Sequence, residues 1–157
     1  MALTDAQYTA LANDIRSNTD QAVIDALAIR NDTELTRLYN LDSAFWVWRS
    51  NVPPEEYMTA LDWTEVDNMS AGKARVWDWA TQYQTAPLDA TNANLRAGIA
   101  SAFPANTQAA LTAVAKRFAS VFEELYTTGT GSNGDPGIAV VEGPLSLFDL
   151  SKALNEF

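Results

Sequence analysis

Three pairs of carboxylates lie close together in this chain: Glu55/Glu56, Glu65/Asp67 and Glu123/Glu124. Two carboxylates facing each other across a cleft are the apparatus of glycoside hydrolysis, one acting as acid and the other as base or nucleophile. Adjacent residues on a helix point about 100° apart, so none of these pairs defines a shared site through its spacing alone. Ser70 and Lys73 have the Ser-x-x-Lys spacing of a serine nucleophile with its lysine base, but no Ser-Asp-Asn or Lys-Thr-Gly sequence accompanies them. Ser70 also has a sufficient role as a helix cap. Gly129-x-Gly131-x-x-Gly134 matches the letters of a dinucleotide fingerprint. That fingerprint needs a strand before it and a helix after it, whereas a helical pattern precedes it here and Asp135-Pro136 follows. Asp135 and Asn133 offer oxygens to a calcium ion, but the spacing is not that of a twelve-residue calcium loop. The chain has no cysteine and no histidine, which removes thiolate and imidazole chemistry. The expectation is therefore a protein without catalytic residues, bound metal or cofactor.

The 157 residues carry twenty acids and ten bases, a net charge of −10, and 47% of them are hydrophobic. Residues 1–70 hold twelve acids against four bases, so the negative charge lies mainly in the first half. Such a surface repels phosphate backbones, and Lys116 with Arg117 is too small a basic group to reverse this, so no sequence-specific nucleic-acid binding is expected. The apolar runs are short and no cationic apolar leader opens the chain, so neither a membrane span nor a signal peptide is expected.

The elements that must position any site are mainly helical. Thr4-Asp5-Ala6-Gln7 has the form of a capping box, and Tyr8, Leu11, Ala12 and Ile15 follow at helical spacing, giving a helix from about 5 to 17. A second short helix starts at Thr19 or Asp20, and a third at Asp32 or Thr33. Pro54 suits a first helical position, with Glu55 and Glu56 at its positive end. Ser70 caps a central helix on which Met69, Gly72, Val76, Trp79 and Tyr83 share one side, with Trp77 and Ala80 widening the apolar surface. All five tryptophans, Trp46, Trp48, Trp63, Trp77 and Trp79, fall between Phe45 and Tyr83 and are assigned to the core. Gly72 is read as a point of close approach by another element. Strand and buried helical turn both remain open for residues 44–52. Asn92 to Phe103 reads as a helix stopped by Pro104, and Asn106 to Thr127 as an unbroken helix of about 30 Å.

Gly129 to Gly137 is a break in composition, and Gly129, Gly131, Gly134 and Gly137 are assigned as a hinge. Beyond it Ile138 to Val141 has strand character, and Ser146 caps a last helix. The fold expected is a compact multi-helix body over residues 1–128, able to fold without the remainder, with a glycine-rich linker and C-terminal arm over 129–157. Ile138, Val140, Val141, Leu147, Phe148, Leu150, Leu154 and Phe157 would be the arm's protein-binding residues. Folding back onto its own body is the alternative for this segment.

At Phe45-Trp46-Val47-Trp48-Arg49, Asp62-Trp63-Thr64-Glu65-Val66-Asp67, Gly72 to Trp79, and Thr128-Gly129-Thr130-Gly131 through Glu142-Gly143-Pro144-Leu145-Ser146, the chain resembles a family of small proteins of tailed bacteriophages. The resemblance covers nearly the whole length. It implies a mostly helical head–tail connector or adaptor at the head–tail interface of the virion, present in the host cytoplasm during assembly. Its partners would be portal and tail or neck proteins and sister subunits in a ring. Other virion components (tail completion or head decoration), a morphogenesis chaperone and, last, a carboxylate-dependent cell-wall glycosidase are the alternatives.

Overall fold

The computed structural model describes residues 3–82 and 85–157. The chain is mainly α-helical, and its elements divide into two compact units, one formed by residues 1–47 with 118–157 and the other by 48–117. The boundary at residue 128 expected from the glycine run is not where the chain divides.

The discontinuous unit, unit 1, opens with α1 (Asp5–Ser17), whose capping box is complete: Thr4 and Gln7 each accept from the other's backbone amide. Asp20 caps α2 (Gln21–Ala28), and Asn31 caps α3 (Asp32–Tyr39) one residue ahead of the expected start. Strand β1 (Asp42–Trp48) settles the open assignment of residues 44–52 in favour of extended chain through Trp48. It pairs with β2 (Lys116–Ser120), and the chain passes between the units within these two strands. The short helix α9 (Val121–Glu124) and the hairpin of β3 (Thr127–Thr128) with β4 (Ile138–Ala139) follow, and α10 (Leu147–Glu156) closes the unit by packing on α1 and α3.

The expected helix over 106–127 is therefore not formed in one piece. Ser120 and Glu123 make a reciprocal capping box that begins a new helix in the middle of that stretch, and Lys116–Ser120 is drawn into the ladder with β1. Phe118 then lies against Trp46, ring centroids 4.2 Å apart, instead of along a helix face.

The glycine run is no hinge in this fold. Trp46 donates its amide to Gly131 O (2.7 Å), and Gly137 donates to Trp46 O (2.8 Å), so the loop is tied to β1 from both sides. A Cβ at Gly131 would stand 2.3 Å from the Phe45 ring, and one at Gly137 would stand 2.3 Å from Thr128 O. Gly129 and Gly131 have φ of +97° and +67°, the left-handed region that favours glycine. Gly131 and Gly137 are required by a tight cradle around Phe45, and Gly129 by the close approach of Gly137; Gly134, at the exposed tip, has open space around it.

The C-terminal segment likewise folds back, the alternative kept open for it. Val141, Leu145, Leu150, Ala153 and Leu154 are buried in one core with Leu11, Ile15, Leu35 and Tyr39, and Phe157 packs against it, stacked on Tyr8 at 5.4 Å. Four of the eight residues assigned to a partner's surface (Val141, Leu150, Leu154 and Phe157) are thus internal contacts of unit 1.

Unit 2 contains α4 (Pro54–Ala60) with Pro54 in the first turn, α5 (Trp63–Asp67) capped by Asp62, and α6 (Ala71–Ala80) capped by Ser70. Asn92 caps α7 (Ala93–Ala102), and α8 (Ala105–Val114) begins after Pro104, packing on α4 while α7 packs on α6. Its core centres on Tyr57, Trp77 and Phe103, with Trp77 edge-on to both of the other rings. Trp77 is the one tryptophan that is fully buried: Trp46 and Trp48 are half-buried, and Trp63 and Trp79 are exposed. The helical stripe fixed which residues share a side of α6 but not which side faces inward. The Val76–Trp79 side faces out, Tyr83 lies outside the described residues, and nothing comes within 4 Å of a Cβ built on Gly72, so no element approaches it.

Candidate interaction surface

Each carboxylate pair is separated by structural work. Glu56 forms a bidentate ion pair with Arg49, whose guanidinium also donates to Val114 O, and this hydrogen bonding to Arg49 holds the Glu56 carboxyl below its ordinary range. Glu65 caps a helix from a distance. Pro104, at the N-cap of α8, has no side chain that can accept from the first free amides, and Glu65 Oε2 accepts instead from the Thr107 amide (2.8 Å) and hydroxyl. Glu123 is buried, its two oxygens accepting from the amides of Ser120 and Gly143 at 2.9 and 2.8 Å, so it joins α9 to the turn before α10. Their neighbours Glu55, Asp67 and Glu124 lie exposed.

The other candidates are also absorbed. Ser70 Oγ accepts from the Lys73 amide at 3.3 Å, the capping role read from the sequence. Asp135 accepts from the Thr130 hydroxyl within the glycine loop, and no cluster of three acidic metal-ligating residues occurs among the described residues. A cavity of about 50 Å³ in unit 2 is lined mainly by Trp48, Val52, Leu95, Ile99 and Leu111, with the Arg96 guanidinium 4.7 Å over the Trp48 ring. Arg96 donates to the carbonyls of Ala90 and Thr91, which fixes it as a clasp on the segment before α7.

Three phenols are held in hydrogen bonds across unit 1. Tyr8 donates to Asp149 at 2.6 Å, and that bond together with burial pushes its pKa up to about 12. Burial pushes Tyr126, which donates to Gln7 O, up to about 12 as well. Tyr39 is also raised, by burial first and then by its bond to Asp14. Asp14 therefore holds a phenol, and Asp20 caps α2, one of the two starts read for that helix.

What remains unabsorbed is apolar surface. In unit 1, Val140 is 60% exposed, Leu147 49% and Phe148 73%, with Ile138 at 36%. These are the other four residues assigned to partner binding, and they stand on β4, on the residues after it and on the first turn of α10. In unit 2, Val76 and Trp79 form a second exposed patch on α6, with the Arg75 guanidinium 5.0 Å over the Trp79 ring. Sequence reasoning assigned Trp79 to the core; the signal against it was the flanking Lys73, Arg75 and Asp78, charges that a buried helix avoids.

The charge is divided as unevenly as the apolar surface. Unit 1 holds thirteen acids and four bases, net −9, and unit 2 holds seven acids and six bases, net −1. Among the described residues no helix is long and apolar enough to cross a membrane. Comparison of the chain with protein families, curated proteins and solved structures gives no match. The fold and surface together describe a mainly α-helical protein with large apolar side chains exposed on α6, on β4 and the residue Val140 after it, and on the first turn of α10.

Proposed function

We propose that this chain is a structural protein of a tailed-phage virion, a head–tail connector or adaptor that assembles as a ring between portal and tail. The observation that carries the reading is the exposure of Val140, Leu147 and Phe148 on a segment whose alternate residues Val141, Leu145 and Leu150 are locked in the core of unit 1. Such a segment presents large side chains from a fixed base, so little ordering entropy opposes docking on portal, tail or neck proteins or on sister subunits. A net charge of −9 on unit 1 fits an assembly through which DNA passes, because acidic walls do not hold phosphates. The structural employment of Glu56, Glu65 and Glu123 favours this reading over a glycosidase.

The test is quantitative mass spectrometry of gradient-purified virions, normalised to the major capsid protein. A copy number of the order of one small ring per particle is expected. A copy number comparable with that of the capsid protein would place the chain in decoration or tail tube, and its absence from the particle would make it a chaperone; either result overturns the adaptor assignment.

A further inference from the structure

A groove of about 320 Å³ runs between α6 and α7 of unit 2, with Val76, Trp77 and Ala80 on one wall and Leu95, Gly98 and Ile99 on the other. Gly98 lies in the interior of α7, where glycine weakens a helix relative to alanine. Nothing lies within 4 Å of the position its Cβ would take, so no contact inside the chain requires a glycine there. Trp77, on the opposite wall, has a buried indole N–H without a hydrogen-bond partner among the described residues. Lys73 lines the continuation of this groove past Val76, Gly98 and Ala102, while Arg75 on the same helix stacks over the exposed Trp79.

A groove with apolar walls and a basic edge fits an apolar projection carried on an acidic body. Unit 1 is such a body: it bears net −9, and Leu147 and Phe148 project from the first turn of α10. We propose that the α6–α7 groove of one copy receives Leu147 and Phe148 of a second copy, with Lys73 facing that copy's acidic unit 1. The contact joins two different surfaces, so it is heterologous, and its repetition closes a ring or extends a filament according to the rotation per step. It rests on the proposed assembly role only in requiring self-association, and it names the two surfaces that role needs. The missing Cβ at Gly98 then has a purpose: it leaves depth for the incoming ring at the expense of helix propensity.

The absence of cysteine allows a direct test on the full chain. Asn94→Cys, at the rim of the groove, and Ser151→Cys, one turn beyond Leu147 on α10, leave the docking side chains in place; the two proteins, each checked for unchanged circular dichroism, are mixed and treated with a short thiol–thiol cross-linker. A linked dimer is expected from the mixture and from neither variant alone. Gly98→Ala supplies a second reading that loss of folding cannot imitate: its melting temperature should hold or rise. In sedimentation velocity, however, its self-association should weaken about tenfold or more, because an added methyl overpacks a filled groove. No linked dimer in the mixture, linking in either variant alone, or unchanged association of Gly98→Ala would each overturn the proposal. An assembly indifferent to these changes would still leave the adaptor assignment standing, since virion copy number decides that separately.

Discussion

Replacing Gly131 by alanine tests whether the glycine loop is a clamp or a linker. Three contributions set the size of the effect. A φ of +67° disfavours an L-residue by about 1–2 kcal/mol. A methyl 2.3 Å from three atoms of the Phe45 ring forces overpacking of about 1–3 kcal/mol. Reduced freedom of the unfolded chain offsets about 0.4–1 kcal/mol. The net loss is about 3 kcal/mol, a large part of a stability of about 5–15 kcal/mol. The same change made in a Phe45→Ala background no longer meets the ring, so it should cost only about 1 kcal/mol, and the coupling between the two sites should be about 2 kcal/mol. Urea unfolding followed by tryptophan fluorescence and circular dichroism measures all four proteins. Trp46 is well placed as a reporter because it is the single tryptophan of unit 1 and adjoins Phe45. Gly131→Ala with unchanged stability, or additivity of the two substitutions, would show that the loop swings free of β1 and refute the clamp. Gly137→Ala should be worse, since its methyl meets the Thr128 carbonyl, which cannot rotate away as a ring can.

Glu65→Ala strips the acceptor from the amide and hydroxyl of Thr107, a residue with no exposed surface, and should cost about 1–3 kcal/mol in urea unfolding, with Glu65→Gln milder. Tyr8 and Tyr126 have folded-state pKa values near 12 against an unfolded value near 10, so the stability they contribute is complete below about pH 10 and is lost as pH rises through about 12. Ultraviolet titration of the phenols should show this late ionisation, and Asp149→Asn should bring the Tyr8 transition down. Removing residues 129–157 deletes Leu145, Leu150, Ala153 and Leu154 from the core shared with α1 and α3, so circular dichroism should lose more helix than α10 itself contains. Limited proteolysis of that truncated chain should leave a resistant fragment confined to residues 48–117.

Caps were the most legible part of the sequence. Thr4 with Gln7, Asp20, Ser70, Asn92 and Ser146 start helices where their chemistry dictates, because a cap is a contact among neighbours in the chain. The stretch 106–127 misled because Leu111, Val114, Phe118 and Phe122 satisfy helical spacing while belonging to three separate elements. Ser120-x-x-Glu123 inside that stretch was a start signal of the same kind as Thr4-x-x-Gln7, and it marks the interruption. The glycine cradle had no local signature: its cause is a phenylalanine some ninety residues earlier, and a run of glycines reads identically whether it is mobile or tightly enclosed. Trp79 shows the remaining limit, since periodicity groups residues on a side without revealing whether protein or water lies beyond it.

The discontinuity of unit 1 sets an order on synthesis. Ribosomes release a chain from its N-terminus at about 5–20 residues per second, so α1, α2 and α3 emerge seconds before α10 exists to cover them. Residues 48–117 bury a core of their own and can mature while translation continues. Leu11, Ile15 and Leu35 must wait for Leu150 and Leu154, more than a hundred residues further along the chain. A chain interrupted between residues 118 and 146 would thus carry one finished half and one uncovered half, and the surface left open is the one a holdase chaperone would recognise.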